Sequence, residues 1–176
     1  MKKSCYLLLV LSLILSCSPD TEINKLEEPV NTDAIVGSWK ANDLYLLNGS
    51  IETTIAGIPT TADLDIKGQE YNATITLSKD PNTIVSQGDI KVKATISKIG
   101  FSISEVYQEP VVMTGTWSIA DNVLYIVDGG ITQEFEIVEF TGDNIKFKQV
   151  FNEDFKNVSG YSGTAKGSLY LGYTKQ

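Results

Sequence analysis

The sequence predicts an all-β chain, an antiparallel meander of about 8 to 10 strands closed into a barrel. Three observations carry this expectation. Apolar and polar residues alternate with a period of two through most of the chain from Ala34 onward, turn-forming pairs recur at short intervals, and no long segment shows a capped helical apolar stripe. Such a sheet must deal with its edges, and closure removes them completely.

Each element follows from its own pattern. "IVGSWKAND", Ile35 to Asp43, opens the first strand, and "YNATITLS" supplies another over Tyr71 to Ser78. In "DIKVKATIS", Ile90, Val92, Ala94 and Ile96 alternate with Lys91, Lys93, Thr95 and Ser97, so one face meets a core and the other meets water. "NIKFKQVF" repeats this with Ile145 and Phe147 against Lys146 and Lys148, and "GSLYLGYTKQ" aligns Leu169, Leu171 and Tyr173 near the chain end. Turns are expected at Asn48-Gly49, Asp80-Pro81-Asn82, Ile99-Gly100, Asp121-Asn122, Asp128-Gly129-Gly130 and Gly142-Asp143-Asn144. These intervals suit hairpins and are too short for crossover helices.

Ahead of the barrel, "MKKSCYLLLVLSLILSC" places Lys2 and Lys3 before an apolar run that ends at Ser16-Cys17. The run is well short of the roughly 20 residues that span a bilayer, which fits a removed signal over residues 1–16. Residues 17–33 then read as the modified cysteine and a flexible tether: "SPDTEINKLEEPVNTD" is polar, acidic and broken by two prolines. The folded domain is expected over residues 34–176.

Cys5 leaves with the signal, so Cys17 is the one thiol of the mature chain and no disulfide can form within it. The chain has neither histidine nor arginine, and its formal charge is −8. Removing two lysines with residues 1–16 leaves 12 lysines against 22 acids, or −10. Without the guanidinium fork, and at this charge, nucleic acid is a poor partner.

Three resemblances follow from these residues. "ILSC" resembles the lipobox of bacterial lipoproteins, with Ile14 where leucine is commoner, which implies lipidation of Cys17, a membrane anchor and an outer-membrane location facing the periplasm or the cell surface. The acids Asp20, Glu22, Glu27 and Glu28 weakly resemble a surface-export signal, and a solvated linker explains them equally well. Gly37-Ser38-Trp39 resembles the Gly-x-Trp that opens the first strand in the lipocalin and fatty-acid-binding-protein superfamily. With "TGTWSIADNVLYIV", "FEIVEFTGDNIKFKQ" and "LYLGYTKQ" in order, residues 34–176 look like the lipocalin-like lipoproteins of Bacteroidetes-type bacteria. The resemblance implies that Gly37 and Trp39 plug one barrel end, with Lys175 taking the place of the usual arginine over the indole. Trp117 is expected on an interior strand of the same barrel.

Catalysis has little to work with, since Ser-His and Cys-His nucleophiles are both excluded. The carboxylate pairs nearest in sequence are Glu134 with Glu136, which share a strand face opposite Phe135, and Glu105 with Glu109, which flank an expected bend before Pro110. Solvated strand faces carry such pairs routinely, so no catalytic residue is assigned and a non-enzymatic role is expected. "NEDF", Asn152 to Phe155, and "DPN", Asp80 to Asn82, lack the spaced oxygens of a calcium loop, so neither metal nor cofactor is expected.

Two functions stay open. One is a lipid-anchored, monomeric binding protein holding a small hydrophobic or amphipathic ligand; the inward candidates are bulky at Phe101, Phe135, Phe147 and Phe151 and small at Ala73, Ala94 and Gly100. The other is a filled barrel that meets an envelope protein or glycan through its outer surface as an adhesion or accessory module.

Overall fold

The computed structural model describes Leu26 and residues 28–176. The expected signal, the lipidated Cys17 and most of the tether lie outside the described residues. Eleven antiparallel strands follow in chain order: β1 (Gly37–Ile55), β2 (Ile58–Tyr71), β3 (Thr74–Ser78), β4 (Thr83–Gln87), β5 (Asp89–Lys98), β6 (Phe101–Pro110), β7 (Gly115–Ala120), β8 (Val123–Asp128), β9 (Ile131–Phe140), β10 (Asn144–Val158) and β11 (Tyr161–Lys175).

Eight of them close a ring in the order β11, β10, β9, β8, β7, β4, β3, β1, and the pairing of β11 with β1 completes it. The other three, β2, β5 and β6, extend the far half of β1 as a wing. This is the expected all-β closed barrel, with extra strands beyond the ring.

The wing and the ring are the two ends of the same hairpins. β2 runs into β3 through Asn72-Ala73, β4 into β5 through Gly88, and β6 into β7 through residues 111–114. The interruptions lie side by side: Ala41 N donates to Ala73 O (2.9 Å), Asn72 N to Asp89 O (3.0 Å) and Val111 N to Gly88 O (3.3 Å). The sheet therefore bends along one line. Gly88 sits on that line with φ 83°, and a Cβ there would lie 2.4 Å from Asn72 O, so only glycine lets the two strands meet.

Alternation sets the core, as it must when one face is buried. Ile90, Val92, Ala94 and Ile96 of β5, Ile145 and Phe147 of β10, and Tyr173 of β11 are all buried. The outward lysines pair with acids across strands: Lys146 with Asp43 (3.2 Å), Lys148 with Glu136 (2.9 Å) and Lys166 with Glu52 (2.7 Å).

Turn chemistry places most hairpins where the sequence does, with three differences. Asn48-Gly49 is not a turn but a bulge inside β1, where pairing with both β2 and β11 shifts register before Ser50. Asn48 takes φ 53°, and a Cβ on Gly49 would lie 2.1 Å from Leu64 O. The β1–β2 turn falls at Ala56-Gly57 (φ 51° and 82°) and the β10–β11 turn at Ser159-Gly160 (φ 49° and 91°), pairs whose left-handed conformations match the twist of a two-residue hairpin.

Ordered contacts also begin ahead of residue 34. Val30 is buried, its N–H donates to Asn122 Oδ1 (2.7 Å), and Asn122 Nδ2 donates to Glu28 O (3.3 Å). The last residues of the expected tether are thus docked on the β7–β8 turn.

Candidate binding cleft and barrel floor

One side of the barrel is open because two strands are short. β8 has six residues and turns back at Gly129-Gly130, and β9 pairs with β10 only from Glu136 to Phe140. β10, β11, β5 and β6 run on beyond that level. Among the described residues no strand pairs between β6 and the part of β10 beyond Lys148. Two contacts tie the far end across this gap: Phe101 meets Tyr161 edge-on at 5.4 Å, and Glu105 accepts hydrogen bonds from the Ser159 N–H and from Ser159 Oγ (3.2 Å).

The gap leads to an inner chamber of about 460 Å³. Its apolar lining includes Leu44, Leu46, Ile66, Val92, Phe151 and Leu169. Glu105, Tyr107 and Glu109 of β6 face Glu153 of β10 across it. A side window of about 1050 Å³ shares Leu44, Glu109, Glu153 and Leu169 with the chamber, and Val112, Ile131 and Val150 edge it. Those three apolar residues are 68, 70 and 78 % exposed, an unusual concentration at one opening. Burial of the half-covered Tyr107 phenol, and then the charges of Glu109 and Glu105, push its pKa up to about 12. It stays a neutral donor at any ordinary pH.

The end where β1 begins and β11 finishes is filled. Trp39, Ile75, Leu77, Ile84, Leu124 and Phe147 are almost completely buried there. Trp39 pairs with Lys175 across β1 and β11, and Lys175 Nζ lies 5.2 Å from the indole centroid. The same ammonium donates to Ala34 O (3.1 Å), and Trp39 Nε1 donates to Ile35 O (2.8 Å). Gly37 enters β1 at φ 137°, with Lys175 Cε 3.2 Å from where its Cβ would be. Trp117, on β7, repeats the local form: Gly115 precedes it at φ 128° and its Nε1 donates to Ser78 O (2.9 Å). The cation over Trp39 is what separates the two.

The other sequence candidates divide between the chamber, the side window and the turns. Glu134 and Glu136 share the outer face of β9, where Glu136 is tied to Lys148. Glu105 and Glu109 do face the same chamber, but four residues along a strand set their Cα atoms about 13 Å apart. The bend expected before Pro110 comes after it, at residues 111–114. Glu153 and Asp154 of the "NEDF" stretch both line the chamber, where Asp154 accepts from Thr164 Oγ1 (3.4 Å), and Asp80 belongs to the β3–β4 turn. Among the described residues no group of three or more acids comes close enough to hold a metal ion. Phe135 and Phe147 are buried and meet edge-on at 6.2 Å, Phe101 and Phe151 are half-buried, and Ala73 and Ala94 are buried. Gly100 differs from expectation: it is exposed in the β5–β6 turn at φ 78° because the turn claims it. Tyr107 and Glu153 carry no signal of their own in the sequence, since the chamber that unites them arises from the shortness of β8 and β9.

No protein-family model, curated protein or solved structure matches this chain. The structure shows the closed β-barrel that a lipocalin-like resemblance implies.

Proposed function

We propose that this is a cell-envelope lipoprotein, anchored through Cys17, whose barrel binds a small hydrophobic or amphipathic molecule rather than catalysing a reaction. The observation that carries the reading is the apolar chamber reached through a window edged by exposed Val112, Ile131 and Val150. Its volume lies within the roughly 300–1000 Å³ of ligand pockets generally. The outer face of the ring carries Lys40 of β1, Thr76 and Ser78 of β3 and Lys146 of β10, unlike the apolar outer band of a bilayer-spanning barrel, which supports attachment through a lipid on Cys17.

The binding half is tested with a neutral fluorescent probe, N-phenylnaphthylamine, whose emission rises on entering an apolar site. The purified protein should bind it, 1-decanol should displace it, and Leu169→Trp, which fills the chamber, should abolish the signal while leaving the circular dichroism unchanged. A probe that stays dark in the wild-type protein sinks the reading. For the anchor, Cys17→Ser should move the protein from the detergent-rich to the aqueous phase on Triton X-114 partition.

A further inference from the structure

We infer that the chamber selects a cationic amphipath, a molecule with an aliphatic or ring body and an ammonium-type head. The inference rests on the binding reading above and specifies the ligand's chemistry.

Charge is unevenly placed around the apolar cavity. Six lysines, Lys67, Lys79, Lys91, Lys146, Lys148 and Lys166, are engaged in ion pairs with Asp65, Asp33, Glu70, Asp43, Glu136 and Glu52. None of these acids lines the chamber. The acids that do, Glu105, Glu109, Glu153 and Asp154, stand on two facing strands with no lysine among the described lining residues. Glu105 is held by Ser159 and Asp154 by Thr164, whereas the Glu109 and Glu153 carboxylates make no hydrogen bond or ion pair with the described residues. Like charges that share a cleft repel each other, and low-dielectric walls concentrate the resulting field, so a cation entering there is favoured and an anion is opposed. The acids are too dispersed to coordinate a bare metal ion, which points to a larger, diffuse organic cation. Leu44, Leu46 and Leu169 beneath them offer the surface for its apolar body.

Three probes of equal chain length separate head-group preference from simple hydrophobic uptake: decyltrimethylammonium, 1-decanol and decanoate, each below its micellar concentration, in displacement of N-phenylnaphthylamine. The cation should bind at least tenfold more tightly than the alcohol, and decanoate more weakly than either. Raising the salt should narrow these differences, since exposed charge is screened. The double variant Glu109→Gln/Glu153→Gln, at two exposed positions without structural partners, should lose about tenfold in affinity for the cation with 1-decanol unchanged. Equal binding of cation and alcohol, or a double variant that holds the cation as tightly as the wild type, overturns the inference while the binding reading stands. Failure of the neutral probe itself to bind overturns both.

Discussion

The Lys175 ammonium lies 5.2 Å from the centroid of the Trp39 indole and donates to Ala34 O, so one side chain joins the last strand to the segment ahead of the first. Closure of the ring depends on the pairing of those two strands, from Trp39 with Lys175 to Thr53 with Gly163. Lys175→Met keeps the aliphatic stem but removes the charge and the donor, and should cost about 1–2 kcal/mol. Calorimetry should show a fall of several degrees in the melting midpoint, with Lys175→Arg recovering most of it. An unchanged midpoint in the Met variant would mean that packing of Trp39 alone secures the floor.

Tyr173 presents the opposite case. Its ring packs edge-on against Phe147 at 5.9 Å, yet its buried hydroxyl has no hydrogen-bond partner among the described residues. A polar group desolvated without compensation costs about 1–3 kcal/mol, so Tyr173→Phe should leave stability unchanged or raise it. Tyr173→Ala removes the ring itself and should cost about 3–5 kcal/mol. Chemical denaturation of the two variants checks the pair; a clear loss in the Phe variant would show that the hydroxyl is hydrogen-bonded in solution.

How much of this was legible depends on the range of the signal. Alternation is local, and it located β5, β10 and β11 through Ile90 to Ile96, Ile145 with Phe147, and Leu169 to Tyr173. Turn pairs are local too, but Asn48-Gly49 has the same chemistry in a bulge as in a hairpin, and only its neighbours on β2 and β11 decide which. Ala56-Gly57 and Ser159-Gly160 reach left-handed φ without an Asn or Asp to announce them. The chamber is the least local feature. Leu44, Glu109, Glu153 and Leu169 meet there because β8 and β9 stop short between β6 and β10, and no pattern around any one of them records that.

The two Gly-x-Trp segments should respond differently to the same change. A Cβ on Gly115 would lie 2.2 Å from Val127 O, which is fixed backbone in the β7–β8 pairing, whereas on Gly37 it would lie 3.2 Å from Lys175 Cε, the end of a flexible side chain. Both glycines also take positive φ, a strain of about 1–3 kcal/mol for an L side chain. Gly115→Ala should therefore destabilise more than Gly37→Ala in denaturant titration. Equal losses would show that backbone strain, not the collision with Val127, sets the cost.

Tyr107 links the cleft to stability at high pH. Burial first, and then Glu109 and Glu105, raise its pKa from 10.0 to about 12 in the folded chain. Between those values the unfolded chain gives up the proton and the folded chain keeps it, so folding binds protons and stability falls as pH rises. The contribution is complete below pH 10 and is lost as pH rises through about 12. Beside the buried Tyr173, whose pKa burial also raises, near-ultraviolet titration of tyrosinate should show a second late-ionising phenol that disappears in Tyr107→Phe and shifts to lower pH in Glu109→Gln, where one repelling charge is gone. The Phe variant should also lose part of the alkaline decline in its melting midpoint. If Glu109→Gln left the late ionisation where it was, the Glu109 charge would not reach Tyr107 along β6, and the acidic lining on which cation selection depends would lose one of its members.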